Sequence, residues 1–164
     1  LIEDTVKELR GQKIEAHKEC VLDFKIKGYI PKYYISDLNQ RLEFYRRLYL
    51  VDNLETAKNL EDELVDRFGS MPEPLIKLIK LIEIKMLCQR LNIIRVNLKV
   101  GWIYLEFDKN SNIIPETVVN LLDNILNFES EFQLKILSPK KGWKEDLLLV
   151  KGYLIKIGKT LIEK

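Results

Sequence analysis

The stretch from Leu75 to Leu91 leaves this chain few ways to fold. Leu75, Ile76, Leu78, Ile79, Leu81, Ile82, Ile84, Met86, Leu87 and Leu91 place apolar side chains around most of a helical circumference, and a helix apolar nearly all round must be covered by other elements. It is therefore expected to be the central, buried helix of a domain. Ser70-Met71-Pro72-Glu73-Pro74 forms the turn that leads into it, where a first-turn proline removes no helical hydrogen bond. No apolar run approaches the ~18 to 20 residues of a membrane span.

Two helices are expected ahead of the central one. Leu38, Leu42, Tyr45 and Tyr49 recur at i, i+4, i+7 and i+11, so Asp37 to about Leu50 reads as amphipathic, capped near Ser36 or Asp37, with those four residues facing the core. Ala57, Leu60, Leu64 and Phe68 form the next stripe, with Asn53 as N-cap and Gly69 at the C-terminal stop. Before both, Leu22, Phe24 and Ile26 alternate with Asp23, Lys25 and Lys27, so Cys20–Lys27 predicts a half-buried strand ended by Gly28 and Pro31. Ile2, Val6 and Leu9 stop at Gly11, the pattern of a short amphipathic helix. The chain starts with Leu1 rather than Met, as a piece of a longer protein would.

Beyond Asn92 the residues turn β-branched and aromatic. Ile94–Val100 and Trp102–Phe107 predict a hairpin, and Phe132, Leu134 and Ile136 a further strand. Pro115 opens a helix with Val118, Leu122, Ile125 and Leu126 inward, and Leu147, Val150, Leu154, Ile157 and Leu161 define a last helix from Lys144. The expected fold is α+β: a helical first half around the buried central helix, then a small antiparallel sheet with flanking helices.

Composition narrows the function. A chain of 164 residues with 46% hydrophobic and 32% charged side chains fits one soluble domain that buries roughly 70% of its unfolded surface. Two cysteines, Cys20 and Cys88, make neither a disulfide framework nor a cysteine zinc site, which points to a reduced cytoplasmic protein. His17 is the only histidine, so the default acid/base group is available once and an enzyme is disfavoured. Its spacing to Cys20 gives too few ligands for a metal. Gly158-Lys159-Thr160 ends like a phosphate-binding loop, but five residues separate Gly152 from Gly158 where that loop needs four. No catalytic residue, metal or cofactor is expected.

The net charge of +2 conceals segregation. Asp52, Glu55, Glu61, Asp62, Glu63 and Asp66 face only Lys58 in sign, and Glu55, Asp62 and Asp66 lie opposite the Ala57–Phe68 stripe. Glu63 and Asp66 form an i,i+3 like-charge pair near a helix C-terminus, where the dipole disfavours anions. A cationic partner, in this domain or another, would offset both penalties. Pro139–Lys164 carries seven lysines and three acids, a candidate phosphate-contacting helix and the basis of an alternative reading as a nucleic-acid-binding module. Tyr33, Tyr34, Arg41, Phe44, Tyr45, Arg46, Arg47 and Tyr49 mix aromatics with arginines, a composition that also suits core packing with a basic rim.

Tyr29-Ile30-Pro31 through Tyr34-Ile35, then Asn39-Gln40-Arg41-Leu42-Glu43-Phe44-Tyr45-Arg46-Arg47, then Glu63-Leu64-Val65-Asp66-Arg67-Phe68-Gly69 with Pro72 following, resemble the C-terminal domain of bacterial transcription-repair coupling factors (Mfd, TRCF). The likeness covers nearly the whole chain, by pattern more than identity after Asn92. It implies that residues 1–11 end a helix leading from a preceding motor region and that residues 12–164 are a C-terminal regulatory domain. In that family the full-length protein is an ATP-dependent DNA translocase acting on stalled RNA polymerase, with ATP and Mg bound by its motor domains and none by this one. The resemblance further implies a non-catalytic, cytoplasmic, autoinhibitory clamp in transcription-coupled repair, docked on a UvrB-like N-terminal module and masking its UvrA-binding surface. Glu63 and Asp66 carry over as its interface, pairing with arginines of that module. Arg41, Tyr45, Arg67, Phe68 and Gly69 carry over as structural motif residues.

Overall fold

The computed structural model describes residues 19–99, 101–111, 113, 118, 126–130 and 132–162. Its elements are β1 (Val21–Asp23), α1 (Leu38–Tyr49), α2 (Leu54–Phe68), α3 (Glu73–Arg90), β2 (Ile93–Lys99), β3 (Trp102–Phe107), β4 (Leu126–Ser130), β5 (Gln133–Leu137) and α4 (Trp143–Ile162). The helix expected over Leu1–Gly11 and residue His17 lie outside the described residues. So does the helix expected from Pro115, apart from Val118, which is helical and buried.

The central helix is apolar all round because it serves two cores. Leu75 and Ile79 of α3 pack with Ile35, Phe44, Leu48, Ala57, Leu60 and Leu64 of the helical half. One to two turns later Ile84, Met86, Leu87 and Cys88 pack against the sheet residues Val96, Ile103, Leu105, Leu134 and Ile136 and against Leu147, Val150, Leu154 and Ile157 of α4. A 3.6-residue period turns successive apolar residues of one straight helix toward neighbours on different sides.

Five strands pair in the order β1-β2-β3-β5-β4. The predicted hairpin forms, with Val96 opposite Leu105, and its turn passes through Gly101 at φ +81°. β5 adds to β3 with Ile136 opposite Ile103. The sheet is mixed rather than purely antiparallel, since β1 joins β2 in parallel at the edge. Leu126, expected on a helix, instead begins β4 and pairs with Ile136 of β5.

β1 is shorter than its alternating pattern. Burial alternates through Lys27, but pairing stops at Asp23, because the chain leaves the sheet to cross the start of α3. Gly28 lies against the backbone of Leu78, and the Tyr29 N–H donates to the Pro74 carbonyl at 3.0 Å.

The face assigned to α1 needs correction. Leu38, Leu42, Tyr45 and Tyr49 are exposed by 58%, 56%, 37% and 50%, whereas Phe44 and Leu48 are buried. Two apolar stripes compete on this helix, and packing selects the one that sets the Phe44 ring edge-on against Phe68, 5.7 Å between centroids. The expected caps do form: Asp37 accepts from the Gln40 N–H at 2.8 Å and Asn53 from the Thr56 N–H at 2.7 Å, and Gly69 ends α2 at φ +83°.

Candidate protein-docking face on the second helix

The motif residues sort into those that build the fold and those it leaves outward. Arg41 donates to the carbonyls of Ile35 and Ser36 at 2.8 and 2.9 Å, and the Tyr45 hydroxyl accepts from the Ile30 N–H at 2.8 Å. These two side chains pin the loop before α1. The Tyr34 hydroxyl lies 2.9 Å from the Leu64 carbonyl and 2.8 Å from that of Gly69, sharing its one proton across the end of α2.

Glu63 is half-buried and already paired within the domain. Its carboxylate accepts from both terminal nitrogens of Arg47 at 2.8 and 2.5 Å, a bidentate pair, and from Arg67 at 3.0 Å. The two guanidiniums also lie over the Phe44 ring, each 5.2 Å from its centroid, and Arg67 over Phe68 at 5.1 Å. The like-charge penalty inferred at this helix end is therefore offset for Glu63 inside the domain. Sequence reading missed Arg47: no local spacing links it to a carboxylate 16 residues away, and the crossing of two helices brings them together.

The Arg47 hydrogen bonds, reinforced by Arg67, hold the Glu63 carboxyl at about 2. A carboxylate with a lowered folded-state pKa stabilises the fold above its unfolded pKa, and that stability is lost as pH falls through the folded value. Glu63→Gln is expected to cost ~1 to 2 kcal/mol near neutral pH, the lower range for charge-assisted bonds because 30% of the side chain remains exposed. In urea titrations the difference from the parent should shrink between about pH 5 and pH 2. An equal difference at both ends would contradict this role.

The other acids of the segment divide similarly. Glu61 turns inward to Lys80 at 3.1 Å, and Asp62 pairs with Lys58 at 2.8 Å in an exposed i,i+4 contact. Glu55 and Asp66 are exposed and make no ion pair or hydrogen bond among the described residues. Val65, 45% exposed, stands beside Asp66 and one turn from Asp62. Asp66 is thus the acid of the Glu63–Gly69 motif left without an ion pair or hydrogen bond among the described residues, at the helix end least favourable to it.

Among the described residues no cluster of three or more His, Cys, Asp or Glu side chains is placed to hold a metal, and no helix is long and apolar enough to cross a membrane. Cys20 and Cys88 are both buried free thiols. Lys151 of the basic last helix turns inward to Glu83 at 2.8 Å.

These features define a small α+β domain organised by one shared helix and bearing an outward acidic patch. The chain belongs to the TRCF domain family, whose model matches residues 24–118. Among curated relatives, the transcription-repair-coupling factor of Rickettsia bellii is 29% identical over 99% of this chain and 13% of its own length. That of Haemophilus influenzae is 25% identical over 80% of this chain and 12% of its own, and that of Bacillus subtilis 30% identical over 52% and 7%. The chain thus spans only about an eighth of the first two. A crystal structure of the C-terminal domain of a transcription-repair coupling factor superposes with a TM-score of 0.73 at 24% identity, covering 88% of this chain and 92% of that one. Its fold is the fold described above.

Proposed function

We propose that this chain acts as the non-catalytic C-terminal regulatory domain of a cytoplasmic transcription-repair coupling factor, residues 12–164 following the end of a motor helix at residues 1–11. In this reading α2 docks on a UvrB-like N-terminal module of the same protein and masks its UvrA-binding surface. ATP, Mg, DNA and RNA polymerase are engaged by other domains. The observation that carries the reading is Asp66, exposed and unpaired among the described residues next to exposed Val65. A basic surface on the partner would supply its counter-charge and cover the valine. Glu63 contributes from the rim, already aligned by Arg47 and Arg67.

The division of labour between the two acids decides the experiment. Reversal at Glu63 would break an intradomain network, whereas Asp66→Lys removes no contact among the described residues and should leave the melting temperature of the domain within about 2 °C. In the full-length protein Asp66→Lys should raise UvrA binding about tenfold, the effect of losing one partly desolvated pair. Unchanged UvrA affinity with the domain still folded would refute the clamp. The alternative, a nucleic-acid-binding module on the last helix, would draw on Lys140, Lys141, Lys144, Lys156 and Lys159 among the described residues and on Lys164 beyond them, since Lys151 is committed to Glu83.

A further inference from the structure

We infer that the outer face of the sheet, around Trp102 and Tyr104 of β3, binds single-stranded nucleic acid. This goes beyond the clamp reading, which assigns the domain no such ligand, and shares no residue with the α2 face. Burial along β3 alternates, with Ile103, Leu105 and Phe107 turned into the core. Successive strand residues point to opposite faces, so Trp102 and Tyr104 stand partly exposed on the other side.

The neighbours of the two rings supply positive charge. In the sheet register Trp102 lies opposite Lys99 of β2 and Leu137 of β5, and Tyr104 opposite Asn97 and Lys135. The Lys135 ammonium stands 5.2 Å from the centre of the Trp102 ring. Lys140 approaches from the loop after β5, its stem 2.7 Å from where a Cβ of Gly101 would stand, beside Trp102. Lys99 and Lys140 are exposed and make no ion pair among the described residues, and Lys135 lies 3.6 Å from Glu129. Asp23 and Glu106 share this face, but they gather around Arg95, at 3.3 and 3.8 Å, opposite the residue four places along β3 from Trp102. The end of the sheet at the β2–β3 turn is therefore aromatic and cationic together.

That combination selects the ligand. Residues two apart on one strand are separated by about 6.7 Å, about twice the ~3.4 Å between stacked bases along one nucleic-acid strand. Successive bases of an extended single strand would therefore each meet one ring, with the lysines beside them on the phosphates. Stacking of this kind accepts any base, because every base has an aromatic face. A duplex keeps its bases stacked on one another and offers the rings nothing, and an acidic peptide would answer the lysines but not the paired rings.

Fluorescence anisotropy of labelled oligo(dT) and oligo(U), titrated with the 164-residue chain at about 50 mM salt, tests the assignment and separates DNA from RNA as the source of the strand. At least one should bind, and the logarithm of its affinity should fall against log salt with a slope of about −2, as for three phosphate contacts on a single strand. Trp102→Ala should weaken binding about tenfold, and Trp102→Phe, which keeps a ring, should restore most of it. Lys99→Ala/Lys135→Ala should flatten the slope to about −0.7 with the melting transition of the domain retained. Lys156→Ala/Lys159→Ala on α4 should leave the slope unchanged. Absence of binding to both strands, or equal affinity for a duplex of the same length, would overturn the inference. Binding that survives Trp102→Ala and is lost in Lys156→Ala/Lys159→Ala would overturn it in favour of the last helix.

Discussion

Glu83→Ala is expected to destabilise the domain by about 3 kcal/mol, lowering its melting temperature by roughly 10 °C. Glu83 sits on α3 with its side chain only 5% exposed and accepts from Lys80 at 3.3 Å and from Lys151 of α4 at 2.8 Å. Lys80 reaches on to Glu61 of α2 at 3.1 Å. One buried carboxylate thereby ties three helices at the boundary between the two cores. Its removal leaves Lys151 without a carboxylate in a partly buried site, and orphaning one charge costs more than the intact pair contributes. Lys80 retains Glu61 and should suffer less.

The distinction is measurable. Glu83→Ala/Lys151→Ala should be less destabilised than the sum of the single variants by about 1 to 3 kcal/mol, and Glu83→Leu/Lys151→Met, which replaces the pair by apolar volume, should recover most of the loss. Additive effects in thermal or urea unfolding would show that the two side chains do not depend on each other.

What could be read from sequence was whatever a single element decides alone. All-round apolarity identified α3, alternation with a glycine turn identified the β2–β3 hairpin, and the Asn53 and Gly69 stops bounded α2. Outcomes set between elements were not legible. α1 carries two apolar stripes, and the longer one lost because Phe44 fits against Phe68 and beneath two guanidiniums. Glu63 looked like an outward anion because nothing near it in sequence announces Arg47. β4 is five residues that exist as a strand through pairing with β5, a dependence on neighbours typical of strand propensity. The candidate face was legible as a segment of excess acid, but only packing separated Asp66 from Glu63.

Gly28→Ala is expected to be at least as damaging as loss of Glu83, at about 3 kcal/mol or more, although position 28 is on no regular element. The reason is space rather than backbone freedom. A Cβ there would lie 2.4 Å from both the Leu78 N and Cα atoms and 2.9 Å from its Cβ. The nearest of these are main-chain atoms inside the central helix, so no rotamer change relieves the clash. Either the crossing segment lifts, losing the bond from the Tyr29 N–H to the Pro74 carbonyl, or α3 shifts and disturbs both cores that it serves. Gly152 provides the contrast. It lies within α4, and a methyl group added there would meet nothing within 4 Å, so Gly152→Ala should stabilise by about 0.5 to 1 kcal/mol through helix propensity. Opposite shifts in melting temperature from the same chemical change would establish that the chain passes over α3 in direct backbone contact. A neutral Gly28→Ala would mean that the strand-to-helix crossing is looser than the fold requires.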